Sequence, residues 1–152
     1  MAQVYGSQKP GRMGAMEITG GCLCKAVRFR ITAQPIAMRL CWCRVCQYFA
    51  SGNATVNVVF PSDSITIEGE PRDYRSVADS GNVMHRHFCP LCGTHLFSAA
   101  ESRPHLIIVR NGALDDTALA HPSTTIWTSQ APEWAWIDET LPRHVGQPPP
   151  IG

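Results

Sequence analysis

The sequence predicts an all-β domain of two packed sheets, and three observations carry that expectation. Glycines and prolines recur from Gly20–Gly21 to Pro142 at a density that leaves little room for long helices. The segments between them alternate apolar with polar residues or run β-branched, as strands do. Only two short stretches have helical character.

Taken in order, residues 26–31 (Ala-Val-Arg-Phe-Arg-Ile) alternate apolar and basic, which marks a strand with one buried face. Residues 44–50 suit one helical turn directly after a cluster of cysteines. Residues 54–60 and 64–68 are β-branched and alternating. Residues 105–110, with Leu-Ile-Ile-Val, suit a strand buried on both faces. Residues 114–119 suit a second short helix and 124–128 a last strand. One domain is expected over 14–146, with a loose leader at 1–13 and a loose proline-rich tail at 147–152.

Composition narrows the function classes. At 152 residues the chain suits one domain with a real core. Its longest apolar runs, such as residues 106–109, fall far short of the roughly 20 residues a membrane helix needs. Residues 1–16 are polar and glycine-rich without the apolar stretch of a secretory signal, so a cytoplasmic location is expected. Thirteen basic and twelve acidic residues are spread without blocks. No basic stripe for nucleic acid emerges, and no membrane partner is expected.

Cysteine is the outlier. Seven cysteines fall into three groups: Cys22-Leu-Cys24, Cys41-Trp-Cys43-Arg-Val-Cys46 and Cys89-Pro-Leu-Cys92-Gly. An odd number in a reducing compartment argues against a disulfide framework and for metal. Zinc takes tetrahedral sulfur ligands, and a C-x-x-C turn followed by a glycine free to adopt positive φ presents two of them well. One partition joins Cys22 and Cys24 to Cys89 and Cys92 as a closed four-sulfur site. It leaves Cys41, Cys43 and Cys46 as a three-sulfur site whose fourth position is open to water or substrate, the arrangement of a catalytic zinc. In a second, His85, His87 or His95 closes the three-sulfur site. A third pairs Cys43 and Cys46 with Cys89 and Cys92 as a zinc ribbon. Spacing alone does not choose among them.

The residues resemble the glutathione-dependent formaldehyde-activating enzyme family, also called the centromere-protein-V domain, with its Mss4-like fold. The resemblance rests on Gly20-Gly21-Cys22-Leu23-Cys24-Lys25, Cys41-Trp42-Cys43-Arg44-Val45-Cys46 and Phe88-Cys89-Pro90-Leu91-Cys92-Gly93-Thr94-His95, and it extends through Asn111-Gly112-Ala113-Leu114-Asp115 to Leu141-Pro142. It implies an Mss4-like β-sandwich binding two zinc ions per chain. Cys22, Cys24, Cys89 and Cys92 would hold the structural ion, and Cys41, Cys43 and Cys46 the second, catalytic one. It also implies a carbon–sulfur lyase run in the condensing direction, joining glutathione to formaldehyde or another small aldehyde. The competing reading is a non-catalytic zinc-stabilised binding module on the same fold. An open fourth position beside a pocket would separate the two. A homodimer is one arrangement such a chain could adopt.

Arg44, inside the three-cysteine loop, suits a two-pronged grip on a substrate carboxylate, or else a solvated position beside the thiolates. Trp42 suits either the pocket wall or the core. His87 and His95 are candidates for acid–base work or for bonding to a cysteine sulfur. Trp127, Trp134 and Trp136 are expected to pack the sheets.

Overall fold

The alternation of Arg28–Ile31 (β2) sets the first layer: Phe29 and Ile31 are buried, while Arg28 and Arg30 face outward to Asp115 and Glu68. The computed structural model describes residues 17–151, so the leader expected at 1–13 lies outside the described residues. β2 is the middle strand of a small antiparallel sheet, flanked by Ile18–Gly21 (β1) and Ile65–Glu68 (β5). Its apolar face lies on a second, seven-stranded sheet.

That larger sheet is built from Ala37–Cys41 (β3), Thr55–Pro61 (β4), Arg72–Val77 (β6), Val83–Phe88 (β7), His95–Ala100 (β8), Leu106–Arg110 (β9) and Thr124–Ile126 (β10). Its spatial order is β10-β3-β4-β9-β8-β7-β6, and every pair is antiparallel except β10 with β3. The all-β, two-sheet expectation holds. The single α-helix among the described residues, Arg44–Phe49 (α1), falls where one turn was expected.

Register divides the large sheet into two faces with different work. Val58 pairs with Val109, and Val109 with Phe97, so these three point the same way, into the core between the sheets. There Phe29 and Phe97 meet edge to face, 6.2 Å between ring centres. The residues one step along each strand face the other way. Arg39 pairs with Asn57 and Asn57 with Arg110, while Arg86 pairs with Ser98 and Ser98 with Ile108. This second face carries polar side chains, and it floors a cavity.

Two expected elements differ. Residues 114–119 form no α-helix: short 3-10 turns at Asn111–Ala113 and Thr117–Leu119 flank Leu114, which is buried and bridges to Gly20. The last strand stops at Ile126 rather than 128, because Trp127 takes a left-handed backbone (φ 59°) and turns the chain.

Gly20 sits where the layers touch. A Cβ there would stand 2.3 Å from the Ala113 carbonyl oxygen and 2.4 Å from the Phe29 ring. Gly20→Ala is therefore expected to destabilise the fold by about 1–3 kcal/mol in denaturant unfolding. Gly112→Ala, where a Cβ meets nothing, stays within about 0.5 kcal/mol. Equal unfolding midpoints would show that the layers separate easily at this point.

Candidate metal centres and the cavity beside them

The first cysteine group forms where two turns from different sheets meet. Cys22 and Cys24 lie in the turn after β1, closed by backbone bonds from Cys22 N–H to the Val27 carbonyl (3.0 Å) and Lys25 N–H to the Cys22 carbonyl (3.0 Å). Cys89 and Cys92 lie in the β7–β8 turn, closed by Cys89 N–H to Thr94 and Gly93 N–H to Cys89, each 2.9 Å. Gly93 has φ +75°, the conformation for which the glycine after Cys92 is suited. Leu23 N–H donates to Thr94 Oγ1 (3.1 Å) and joins the two turns.

The four sulfurs of Cys22, Cys24, Cys89 and Cys92 converge within 4.8 Å of one another. Four sulfurs about 2.3 Å from one tetrahedral ion stand about 3.8 Å apart. The observed Cys22–Cys24 and Cys24–Cys89 separations are 3.5 and 3.7 Å, so the donor set fits such an ion. Val27 N–H donates to the Cys22 sulfur (3.2 Å). The Thr94 hydroxyl and backbone hold Cys92 down at about 5, so a thiolate is favoured.

The second group comes from one short stretch. Cys41 ends β3, Cys43 caps α1 with its sulfur accepting from Cys46 N–H (3.3 Å), and Cys46 lies in the helix. Six helical residues hold their shape here because Gln47, buried, donates to the carbonyls of Trp42 (2.7 Å) and Gln130 (2.9 Å). These three sulfurs also lie within 4.8 Å of one another. Cys43 and Cys46 beside it, with burial, push Cys41 far up, while Cys41 and Cys43 hold Cys46 down at about 2. Thiols packed this closely resist ionising together, and a bound cation would relieve that repulsion.

The two groupings are those of the closed-plus-open partition, not the zinc ribbon. No histidine joins either group among the described residues. His85 lies between Asp73 and Glu101, which raise its pKa by hydrogen bonding. His87 is tilted against Phe97, 5.0 Å between ring centres, and burial lowers its pKa. His95 is packed on Phe49 at 4.1 Å, and burial pushes it down to about 3, so it stays neutral and accepts from Arg110 Nε (3.3 Å).

The three-cysteine group opens on a cavity of about 120 Å³ that is floored by the polar face of the large sheet. Ile126 and Trp127 form part of its wall. The indole N–H of Trp127 donates to Gln147 Oε1 (3.1 Å), and Gln147 and Ile151, from the tail expected to be loose, line the cavity as well. Trp127 packs against the buried cluster of Cys41, Cys46 and Ile126 and also walls the cavity, and a bulky residue in left-handed backbone is the kind of strain that functional sites hold. Trp134 and Trp136 are 67% and 78% exposed, so neither packs between sheets; Trp42 is buried and meets Trp134 edge to face. Arg44 is exposed and lies over the Tyr48 ring, 4.2 Å to its centre, outside the cavity lining.

Arginines that sequence reasoning passed over line the cavity instead: Arg39, Arg86, Arg103 and Arg110. Arg110 donates to His95, to Ser98 (2.9 Å) and to Asn57, all neutral, and feels the charge of Cys46, Cys41 and Cys43. The available signal was the Arg39-x-Cys41 spacing, which puts both residues on one strand face.

Three comparisons bear on this arrangement. The family described as glutathione-dependent formaldehyde-activating enzyme matches residues 17–130. A Halomonas elongata protein, provisionally named glutathione-dependent formaldehyde-activating enzyme, is 26% identical over 129 residues, covering 81% of this chain and 82% of that one. The crystal structure of a Rhodobacter sphaeroides protein superposes with a TM-score of 0.52 at 18% identity, over 64% of this chain and 87% of its own, which speaks for the fold alone.

Proposed function

The chain belongs to the glutathione-dependent formaldehyde-activating enzyme family, and on that premise we propose that it is a zinc-dependent carbon–sulfur lyase joining a thiol, glutathione, to formaldehyde or another small aldehyde. The single observation that carries this reading is the cavity on which Cys41, Cys43 and Cys46 open. A binding module built only for stability would bury or close that group. In this reading Cys22, Cys24, Cys89 and Cys92 hold a structural zinc and the other three cysteines a second, catalytic one.

Zinc at the open site would supply a positive charge that favours thiolate over thiol and stabilises negative charge developing on the aldehyde oxygen. The balance of the reaction is simple. The substrate sulfur loses its proton and forms a bond to the carbonyl carbon, the C=O π pair moves to oxygen, and oxygen takes a proton to give the S-hydroxymethyl product. The three cysteines fix where the sulfur binds, and the cavity wall of Ile126 and Trp127 shields it from bulk water. Arg110, beside the sulfurs, offsets their negative charge. Positioning and charge stabilisation are the whole demand on the protein.

With Co²⁺ in place of zinc, glutathione is expected to add intensity to the sulfur-to-metal charge-transfer band. Cys46→Ser should lose most of that response and any acceleration of S-hydroxymethylglutathione formation over the spontaneous rate. Metal-loaded protein showing neither response nor acceleration would end the lyase reading in favour of a binding module. A spectral response without acceleration would keep the thiol and discard formaldehyde as its partner.

A further inference from the structure

Part of the wall beside the three-cysteine centre comes from a piece of chain that belongs to neither sheet. Five backbone hydrogen bonds tie residues 142–146 to residues 125–129, among them Trp127 N–H to the Gly146 carbonyl (3.3 Å) and Thr128 N–H to the His144 carbonyl (3.1 Å). Residues 147–151 make none to another described residue. What holds them is the Trp127 indole N–H, donating to Gln147 Oε1 (3.1 Å), with Pro148 buried and Ile151 half-buried. Gln147 and Ile151 both line the cavity. Trp127 itself packs on the buried cluster of Cys41, Cys46 and Ile126, so one side chain joins this segment to the sulfurs.

The segment is stiff as well as lightly attached. Pro148, Pro149 and Pro150 lack an N–H and hold φ near about −65°, so they neither extend the sheet as a strand nor coil back on themselves. Gly146, where a Cβ would meet nothing, gives the segment an unobstructed joint. With the segment in place the cavity measures about 120 Å³. Clefts that enclose a drug-sized ligand run to roughly 300–1,000 Å³. A molecule of a few heavy atoms fits as the cavity stands, whereas a tripeptide seated whole in it needs the segment displaced. The family match covers residues 17–130, so this covering segment lies beyond the matched region.

We propose that residues 147–151 are a strap, hinged at Gly146 and latched on Trp127, that selects by size what reaches Cys41, Cys43 and Cys46. Small molecules pass with the strap closed, and larger ones enter only when it swings off the indole. The strap stands on this geometry; that the larger ligand is a thiol rests on the lyase reading.

The test measures access to the cysteines without using a thiol substrate. Full-length protein carrying one zinc equivalent per chain is treated with iodoacetamide, which is small, or with a fluorescein maleimide, which is bulky. Peptide mass spectrometry then gives the labelling rate at Cys41, Cys43 and Cys46. Gln147→Gly/Ile151→Gly removes the latch and the apolar contact, and should speed bulky labelling roughly tenfold or more. Iodoacetamide should change by less than about twofold, within the effect expected of a surface substitution. Gln147→Glu, whose carboxylate still accepts from the indole, should label as wild type does. Equal bulky labelling in wild type and the double variant, or equal acceleration of both reagents, would overturn the strap. A second arm follows the Co²⁺-loaded protein by stopped flow, where the double variant should respond faster to glutathione and unchanged to 2-mercaptoethanol. Size-selective labelling without any glutathione response would keep the strap and remove the lyase reading, and a glutathione response with unselective labelling would do the reverse.

Discussion

Cys92→Ser is expected to leave the chain unfolded or molten, while Cys43→Ser leaves it folded with one metal ion fewer. The difference follows from where each group sits. Cys22 and Cys24 belong to the turn feeding the three-stranded sheet, and Cys89 and Cys92 to a turn of the seven-stranded one. Cys24 and Cys89 are 65 residues apart in the chain, and Cys22 and Cys89 lie within the same buried cluster as Phe29 and Phe97. An ion on these sulfurs would close that long loop and fasten one layer to the other. Apparent zinc-binding energies of about 10–16 kcal/mol match or exceed the 5–15 kcal/mol net stability of a typical domain, so losing this ion leaves nothing in reserve. Cys41, Cys43 and Cys46 come from six consecutive residues and face a cavity, so an ion held there would close almost no loop. Far-UV circular dichroism, thermal melts and zinc content of the two variants decide the matter. Melting temperatures lowered equally in both would mean that the structural and open sites are assigned wrongly.

What the sequence made legible was whatever repeats locally. The alternation of β2 and the apolar run of β9 read directly as strands, because each side chain's burial follows from its neighbours two places away. β6, Arg-Asp-Tyr-Arg-Ser-Val, did not read as a strand, since it is an exposed edge whose only cue is its pairing with β7. The cysteines pointed to metal, yet several partitions fitted their spacing, and choosing one needed either the resemblance or the folded positions. The arginine cavity was the least legible feature. Arg39, Arg86 and Arg110 stand on three strands that other strands separate, and only the register of the whole sheet turns them to one side. A residue whose role depends on long-range register leaves no local pattern.

Arg110 is where that register carries the most weight, and replacing it should strip metal from the open site while sparing the closed one. Its guanidinium donates once from each of its three nitrogens to neutral groups, His95, Asn57 and Ser98, so its position is fixed without cancelling its charge. It lines the same cavity as Cys46, Cys41 and Cys43, close enough for their charges to act on it. Arg110→Met would leave three thiolates and a divalent ion with one unbalanced negative charge in a partly enclosed site, and would orphan Asn57 and Ser98. Outer groups that hydrogen-bond metal ligands are worth about 10- to 100-fold in metal affinity, which sets the upper range for a counter-charge that bonds no ligand. Competition with a chromophoric chelator should therefore show one ion per chain released at about that much lower chelator strength. The tightly held ion should compete as in wild type, and a stable fold should persist because the four-sulfur centre lies at the other junction. Arg110→Lys keeps the charge but not the three-way grip, so an intermediate loss is expected. If both ions compete in Arg110→Met as they do in wild type, the guanidinium is a packing element of the sheet face and not the counter-charge of the centre.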